Sequence, residues 1–328
     1  MRVCILTEAG ERIGFGHITR CTSIYQAFEE IEVRPELIVN GDETVHDFVK
    51  GKNCKVFDWV NDREKLFAAL GDTDIVFIDS YLADYDLYKK ISDAAGVGVY
   101  FDDNIRIEYP KGFVVNGAVF AERMPYPETN SVRYLLGTQY SPIRREFWDV
   151  PEKSIHNTLE TAVITFGGAD IRNLTPKILK LLQDNYPELL IKVIVGRGFQ
   201  NIAEIEEYED NNTKLIYCPN AAEMRDIMFW SDVAISSGGQ TSYELARVGV
   251  PTIGICVADN QLQNLKGWQE AGFLKYMCWY NNEDMKERLE SSLKELACID
   301  VRAKMSQAGS TLVDGKGPSR IVSALGVG

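Results

Sequence analysis

The chain opens with Val3-Cys-Ile-Leu-Thr-Glu-Ala-Gly-Glu-Arg-Ile-Gly-Phe-Gly-His-Ile-Thr-Arg-Cys21: an apolar run, a polar loop closing on two glycines, then an amphipathic segment. Val3 to Leu6 reads as a short buried strand. Residues 17–30 read as a helix, with Ile18, Cys21, Ile24, Tyr25 and Phe28 on one stripe. The pattern recurs. Strands at 37–39, 54–57, 75–78 and 97–101 alternate with helices over 43–50, 62–70 and 84–95. Such alternation predicts a parallel sheet covered on both faces. Residues 136–153 lack a clear period and carry Pro142 and Pro151, as a connection between domains would. Beyond them the alternation restarts. Strands fall at 162–166, 190–195, 215–218, 233–235 and 252–256, and helices at 175–185 (capped by Asn173 or Thr175), 202–208, 221–229 and 241–248. The remainder reads as helical, with breaks near Cys298 and at 314–318. The expectation is an α/β chain of two doubly wound, Rossmann-like domains, 1–145 and 146–316, facing a shared cleft. Ligands in such sheets bind beyond the carboxyl ends of the strands.

Composition narrows the function. The 328 residues are 45% hydrophobic and 25% charged, enough apolar surface for full cores, which excludes a disordered or collagen-like chain. A net charge of −13 disfavours nucleic acid and anionic membranes as partners. No apolar run reaches the length of a membrane span, and no signal peptide precedes the first strand. The seven cysteines form no C-x-x-C pair and read as buried thiols of a reducing compartment, so the cytoplasm is the expected location. Asp72-Thr-Asp74 and Asp84-Tyr-Asp86 spell Asp-x-Asp, but read as a turn and a helix start; no metal and no cofactor are expected.

Four groups of loop residues could carry chemistry. Gly14 and Gly16 let backbone amides approach an anion at a helix start, although neither the dinucleotide fingerprint nor a Walker loop is present. His17, in the first helical turn, is the candidate general base; a capping or merely exposed histidine is the alternative. Ser237-Gly-Gly-Gln-Thr-Ser-Tyr-Glu244 is a second strand–loop–helix junction. There Gly238 and Gly239 are expected to form a nest for pyrophosphate, Thr241 or Ser242 to cap the helix while touching phosphate, and Glu244 to face a ribose diol; a well-capped helix with an exposed glutamate is the alternative. Gly167, Gly168 and Asp170 form a comparable nest, or an ordinary turn. Asp79-Ser-Tyr81, Asp102-Asp103-Asn104 and Asn116 follow strands of the first domain, and Asn260 and Gln261 follow a strand of the second. Singly they read as turn residues; together they suit a polyhydroxylated ligand.

Gly14-Phe-Gly-His-Ile-Thr-Arg-Cys21, Asp79-Ser-Tyr81, Leu136-Gly-x-x-Tyr140 through Arg144-Arg-Glu-Phe147, Phe166-Gly-Gly-Ala-Asp170 with Asn173, and Ser237-Gly-Gly-x-Thr-x-Tyr-Glu244 with Asn260-Gln261 occur in that order along nearly the whole chain. In this the chain resembles the UDP-2,4-diacetamido-2,4,6-trideoxy-β-L-altropyranose hydrolases of pseudaminic acid biosynthesis. That family is itself similar to the peptidoglycan glycosyltransferase that adds N-acetylglucosamine to lipid I. The resemblance implies the GT-B fold, with UDP held by the second domain and Glu244 at its ribose. It further implies a sugar pocket shaped by the first domain, and a last helix (317–328) packed back onto that domain. It places the water-activating histidine on His17, Arg20 among the substrate contacts, and Tyr81 and Asn260 at the sugar. The implied activity is metal-independent cleavage of the anomeric C–O bond with inversion. Glycosyl transfer and nucleotide-sugar binding without turnover are the alternatives. Two departures stand out: Leu6-Thr-Glu-Ala-Gly10 replaces the family's Arg-x-Asp-x-Ser, and Gln240 stands where serine is commoner.

Overall fold

The computed structural model describes residues 1–10 and 13–327; Glu11 and Arg12, in the loop ahead of Gly14, lie outside them. The chain divides into two compact units, one of Met1–Arg145 with Gly315–Gly328 and the other of Glu146–Asp314.

The first unit runs β1 (Val3–Ala9), α1 (Gly16–Glu29), β2 (Glu36–Gly41), α2 (His46–Val49), β3 (Cys54–Val56), α3 (Arg63–Leu70), β4 (Ile75–Asp79), α4 (Tyr85–Ala94), β5 (Val97–Phe101), β6 (Gly112–Asn116) and β7 (Val132–Leu136). Its seven strands are all parallel, in the order β3-β2-β1-β4-β5-β6-β7. The core forms where β1 and β4, buried along their whole length, meet the stripe of α1 that carries Ile18, Cys21, Ile24, Tyr25 and Phe28. β6 and β7 are joined to the sheet by loops and 3-10 turns without a helix, so strict strand–helix alternation ends at β5. The helix expected over 43–50 is a 3-10 turn followed by the one-turn α2, with the Asp42 carboxylate accepting from the Thr44 amide.

The second unit runs β8 (Thr161–Thr165), α5 (Thr175–Asn185), β9 (Leu190–Val195), α6 (Ile202–Glu206), β10 (Thr213–Tyr217), α7 (Ala221–Trp230), β11 (Val233–Ser237), α8 (Thr241–Val248), β12 (Thr252–Cys256), α9 (Asp259–Glu270), β13 (Leu274–Trp279), α10 (Met285–Leu296) and α11 (Ile299–Leu312). The sheet order is β10-β9-β8-β11-β12-β13, again parallel throughout. β13 corrects the helical expectation for the segment after Cys256. It is an edge strand with only Leu274, Met277 and Cys278 buried, and its register on β12 shifts between Gly254 and Ile255, which blurs the period-2 signal. α12 (Gly317–Ala324) returns to the first unit and packs on α1, burying Pro318, Ile321 and Val322.

In both sheets the strand order reverses beside the first strand of the unit, between β1 and β4 and between β8 and β11. Crevices form at such reversals, because the connections on either side leave in opposite directions. Among the described residues, no helix is long and apolar enough to cross a membrane.

Candidate functional site

At the reversal in the first unit, Thr7 of β1 lies opposite Asp79 of β4, so Glu8 and Asp79 leave the sheet side by side. Both are buried, at 1% exposure. The loop between β1 and α1 bends back through paired Gly10 and Gly14 amides, with Gly14 at φ +85°, a conformation side-chain-bearing residues avoid. α1 starts at Gly16 and delivers His17 and Arg20, one turn apart, onto the carboxylates. His17 Nδ1 lies 2.6 Å from Asp79 Oδ1. A carboxylate only accepts, so Nδ1 carries the proton; whenever the ring holds a single proton, its Nε2 lone pair is therefore the one presented away from Asp79. The Arg20 nitrogen 3.3 Å from Nδ1 is a second donor there and makes no bond to it.

Arg20 clamps two carboxylates at once. Its Nε and Nη2 reach Asp79 at 2.5 and 2.6 Å, and its Nη1 and Nη2 reach Asp103 at 2.7 and 3.0 Å. Burial alone would raise the Asp79 carboxyl, but the Arg20 guanidinium and His17 outweigh it and hold the group well below the usual carboxylate range. The same contest, again won by Arg20, lowers Asp103. The Tyr81 hydroxyl donates to Asp103, and desolvation of that hydroxyl together with the carboxylate pushes the phenol up, although the residue as a whole is 45% exposed. The Tyr81 ring meets the His17 ring edge-on, centroids 4.6 Å apart. Glu8 pins the loop that carries Tyr81: its oxygens accept from Ser80 Oγ at 2.6 Å and from the Tyr81 amide at 2.7 Å. Glu8 is absent from the expected site residues, and Asp103, expected beside a polyhydroxylated ligand, instead pairs with Arg20.

Two expected ligand contacts are corrected here. Asp79 faces no open space; its oxygens are taken by Arg20, His17 and Cys21, so it positions other groups. Asn116 is also buried. Its amide donates to the Tyr126 hydroxyl at 2.9 Å and to Met124 Sδ, its Oδ1 accepts from Ala118 N, and at 1% exposure it faces protein and not a sugar. Tyr126 passes this bond on to Asp102, which also accepts from Tyr109 at 2.8 Å.

In the second unit the glycines divide into two kinds. Gly167 and Gly168, like Gly14 and Gly16, have no described atom within 4 Å of where a Cβ would stand, so a ligand can approach their backbone. Asp170, by contrast, accepts from the amides of Leu174 and Thr175 at 2.9 and 2.7 Å. It therefore caps α5 itself, which corrects the expected Asn173 or Thr175 cap. Asn173 sits at φ +51° and donates to Glu204.

Gly238 is a packing glycine. A Cβ there would stand 2.7 Å from Leu265 Cγ and 2.9 Å from the Gln261 carbonyl, and its amide already donates to Gln261 Oε1. That bond turns the Gln261 carbonyl inward, so only its amino end remains for a ligand. Asn264, Tyr243, Ser242 and Trp268 lock this corner. Asn264 donates to the Gly238 carbonyl at 2.6 Å and accepts from Tyr243, while Trp268 and Asn264 donate to Ser242 Oγ. Gly239 stays open, Ser237 and Glu244 are buried, Thr241 is half-buried and Asn260 is exposed. Two buried polar atoms at this loop, Ser236 Oγ and Gln240 Nε2, find no partner among the described residues. Buried polar atoms without a partner are uncommon in folded proteins. No group of three His, Cys, Asp or Glu side chains among the described residues is arranged to hold a metal.

Comparison with known proteins follows this division. The profile of the glycosyltransferase family 28 C-terminal domain matches residues 161–314. An uncharacterized protein of Methanocaldococcus jannaschii, MJ1062, is 27% identical over 278 residues, which span 80% of this chain and 57% of that protein. A Helicobacter pylori protein described as "Pseudaminic acid cytidylyltransferase and UDP-2,4-diacetamido-2,4,6-trideoxy-beta-L-altropyranose hydrolase" is 24% identical, across 90% of this chain and 55% of that protein. The chain thus spans little more than half the length of either relative. The crystal structure of MurG from Acinetobacter baumannii superposes with a TM-score of 0.69 at 12% identity, over 99% of both chains. Two parallel Rossmann-like units in this order, with these likenesses, give the chain the GT-B fold.

Proposed function

We propose that the chain is a nucleotide-sugar hydrolase that cleaves the anomeric C–O bond of a UDP-linked diacetamido-trideoxyhexose with inversion, releasing UDP and the free amino sugar. The observation that carries this reading is the buried Asp79–His17 pair, which fixes one imidazole tautomer with Nε2 free to take a proton. The hydrolase named for the Helicobacter relative supports the choice of sugar. UDP leaves readily once amides at helix starts stabilise its charge, so one base and one water suffice. In this reading Gly167, Gly168, Ser237, Gly239, Thr241, Glu244, Asn260 and the amino end of Gln261 serve the nucleotide end. Gly14, Gly16 and Tyr81 border the sugar, and Arg20 acts through Asp79.

The second reading is glycosyl transfer, favoured by the family 28 match over 161–314; His17 would then deprotonate an acceptor hydroxyl. Incubation with UDP- and other nucleotide-linked diacetamido sugars, without acceptor or metal and followed by NMR, separates the two. Hydrolysis gives UDP and free sugar. Release only with an acceptor means transfer, and binding without release means a non-catalytic protein. Glu244→Ala is expected to weaken UDP binding about tenfold by calorimetry, the scale of a hydrogen bond to a charged acceptor, with turnover at saturation retained.

A further inference from the structure

We propose that Glu8 and His17 together hold the attacking water, and that this pair of acceptors selects water over a hydroxyl; the proposal rests on the hydrolase reading. With Nδ1 of His17 committed to Asp79, Nε2 of the singly protonated ring, the form a general base requires, is an acceptor. Among the described residues the polar atom recorded facing it is Glu8 Oε1, at 3.9 Å, too far for a direct bond. Glu8 is an acceptor too. Its described partners, Ser80 Oγ and the Tyr81 amide, both donate to it, and Oε1 keeps a lone pair beyond the one used by Tyr81. Two acceptors facing each other across such a gap are satisfied together by a molecule carrying two hydrogens on one atom. A water about 2.9 Å from each would subtend an angle of about 85°, within the tolerance of hydrogen-bond geometry. An alcohol has one hydrogen to give and leaves one buried acceptor unmet, which costs free energy.

The step balances. The water oxygen attacks the anomeric carbon, the C1–O bond to the diphosphate breaks, and its electron pair leaves on UDP. One water proton goes to His17 Nε2 and from there to solvent. The other stays on oxygen as the new anomeric hydroxyl, held by Glu8 Oε1.

The test is nucleophile competition. In buffer containing molar methanol the wild type is expected to give free sugar without methyl glycoside. Glu8→Ala removes one acceptor and should raise the methyl glycoside fraction at least about tenfold. Ser80→Ala loosens the same loop but keeps Glu8, and should slow turnover without changing the product ratio. Methyl glycoside formed by the wild type in proportion to methanol overturns the proposal, as does an equal shift in both variants. A crystal structure of the free wild-type protein adds a readout independent of turnover. One water touching both His17 Nε2 and Glu8 Oε1 is expected, and a gap bridged by no water overturns the proposal. That water, found in a protein that releases no UDP, would sink the hydrolase reading and still support the two-acceptor site.

Discussion

Replacing His17 with asparagine is expected to cut turnover at least about 10²-fold while leaving the affinity for UDP unchanged. The magnitude is that of losing a positioned general base. The selectivity follows from placement. His17 belongs to the first unit and bonds Asp79, whereas the expected nucleotide contacts Ser237, Gly239 and Glu244 lie on β11, its loop and α8. Asparagine keeps an amide to offer Asp79 but has no ring nitrogen to receive a proton. Steady-state kinetics beside calorimetry with UDP make the comparison. Turnover that survives the change removes His17 from the role of base. A parallel loss of UDP affinity would show that the substitution disturbs more than the base.

Asp79→Asn carries the second large effect, on rate and stability together. Asp79 is buried and its two oxygens face only donors, from Arg20, His17 and Cys21. An amide turns one of those oxygens into a donor, so it opposes either Arg20 or His17 whichever way it lies. Breaking a buried ion pair from one side costs about 3–5 kcal/mol, and Asp103 still neutralises Arg20, which favours the lower end. With the imidazole tautomer no longer fixed, kcat should fall by about 10²–10⁴-fold, the range seen when a base loses its orienting carboxylate. The pH dependence has a definite sign. A carboxyl depressed on folding contributes stability that is complete above its ordinary value of 3.8 and disappears as pH falls toward the lowered one. The stability gap due to Asp79 should therefore persist at neutral pH and begin to close only below about pH 4, as measured by urea unfolding. A gap that closed on rising from neutral pH would contradict the assignment.

The fold was largely legible because its signal is local. Val3 to Leu6 is a fully apolar strand, and the α1 stripe recurs at helical spacing, so each element announces itself within a few residues. The misses are elements whose burial is partial. β13 sits at a sheet edge, and β6 and β7 lack the helices that would have punctuated them. The candidate site was legible only where one residue type at one junction suffices, as with His17 after its glycines. Asp103 stands out in the sequence only as one of several post-strand residues suited to a polyhydroxylated ligand, and Glu8 only as a carboxylate kept in an altered loop. Their partners are not legible because the pairings span the chain, Asp103 meeting Arg20 from 83 positions away. Asn116 shows the converse. An asparagine after a strand reads the same whether it meets a ligand or, as here, a tyrosine hydroxyl. Gly238 likewise spells an open nest beside Gly239, and only the approach of α9 reveals that its missing side chain makes room for Leu265.

The return of α12 to the first unit sets an order of events during synthesis. Domains generally fold as units while the chain emerges, the earlier one first. Here the earlier unit lacks a piece of its own core until residues 317–324 have been made, since Ile321 and Val322 pack against the helix that carries His17. The second unit, continuous from Glu146 to Asp314, has every strand and helix it needs before that point. On the ribosome the half containing β8 to α11 can therefore close first, and the helix bearing His17 receives its last packing partner only after the whole of the other half has been made.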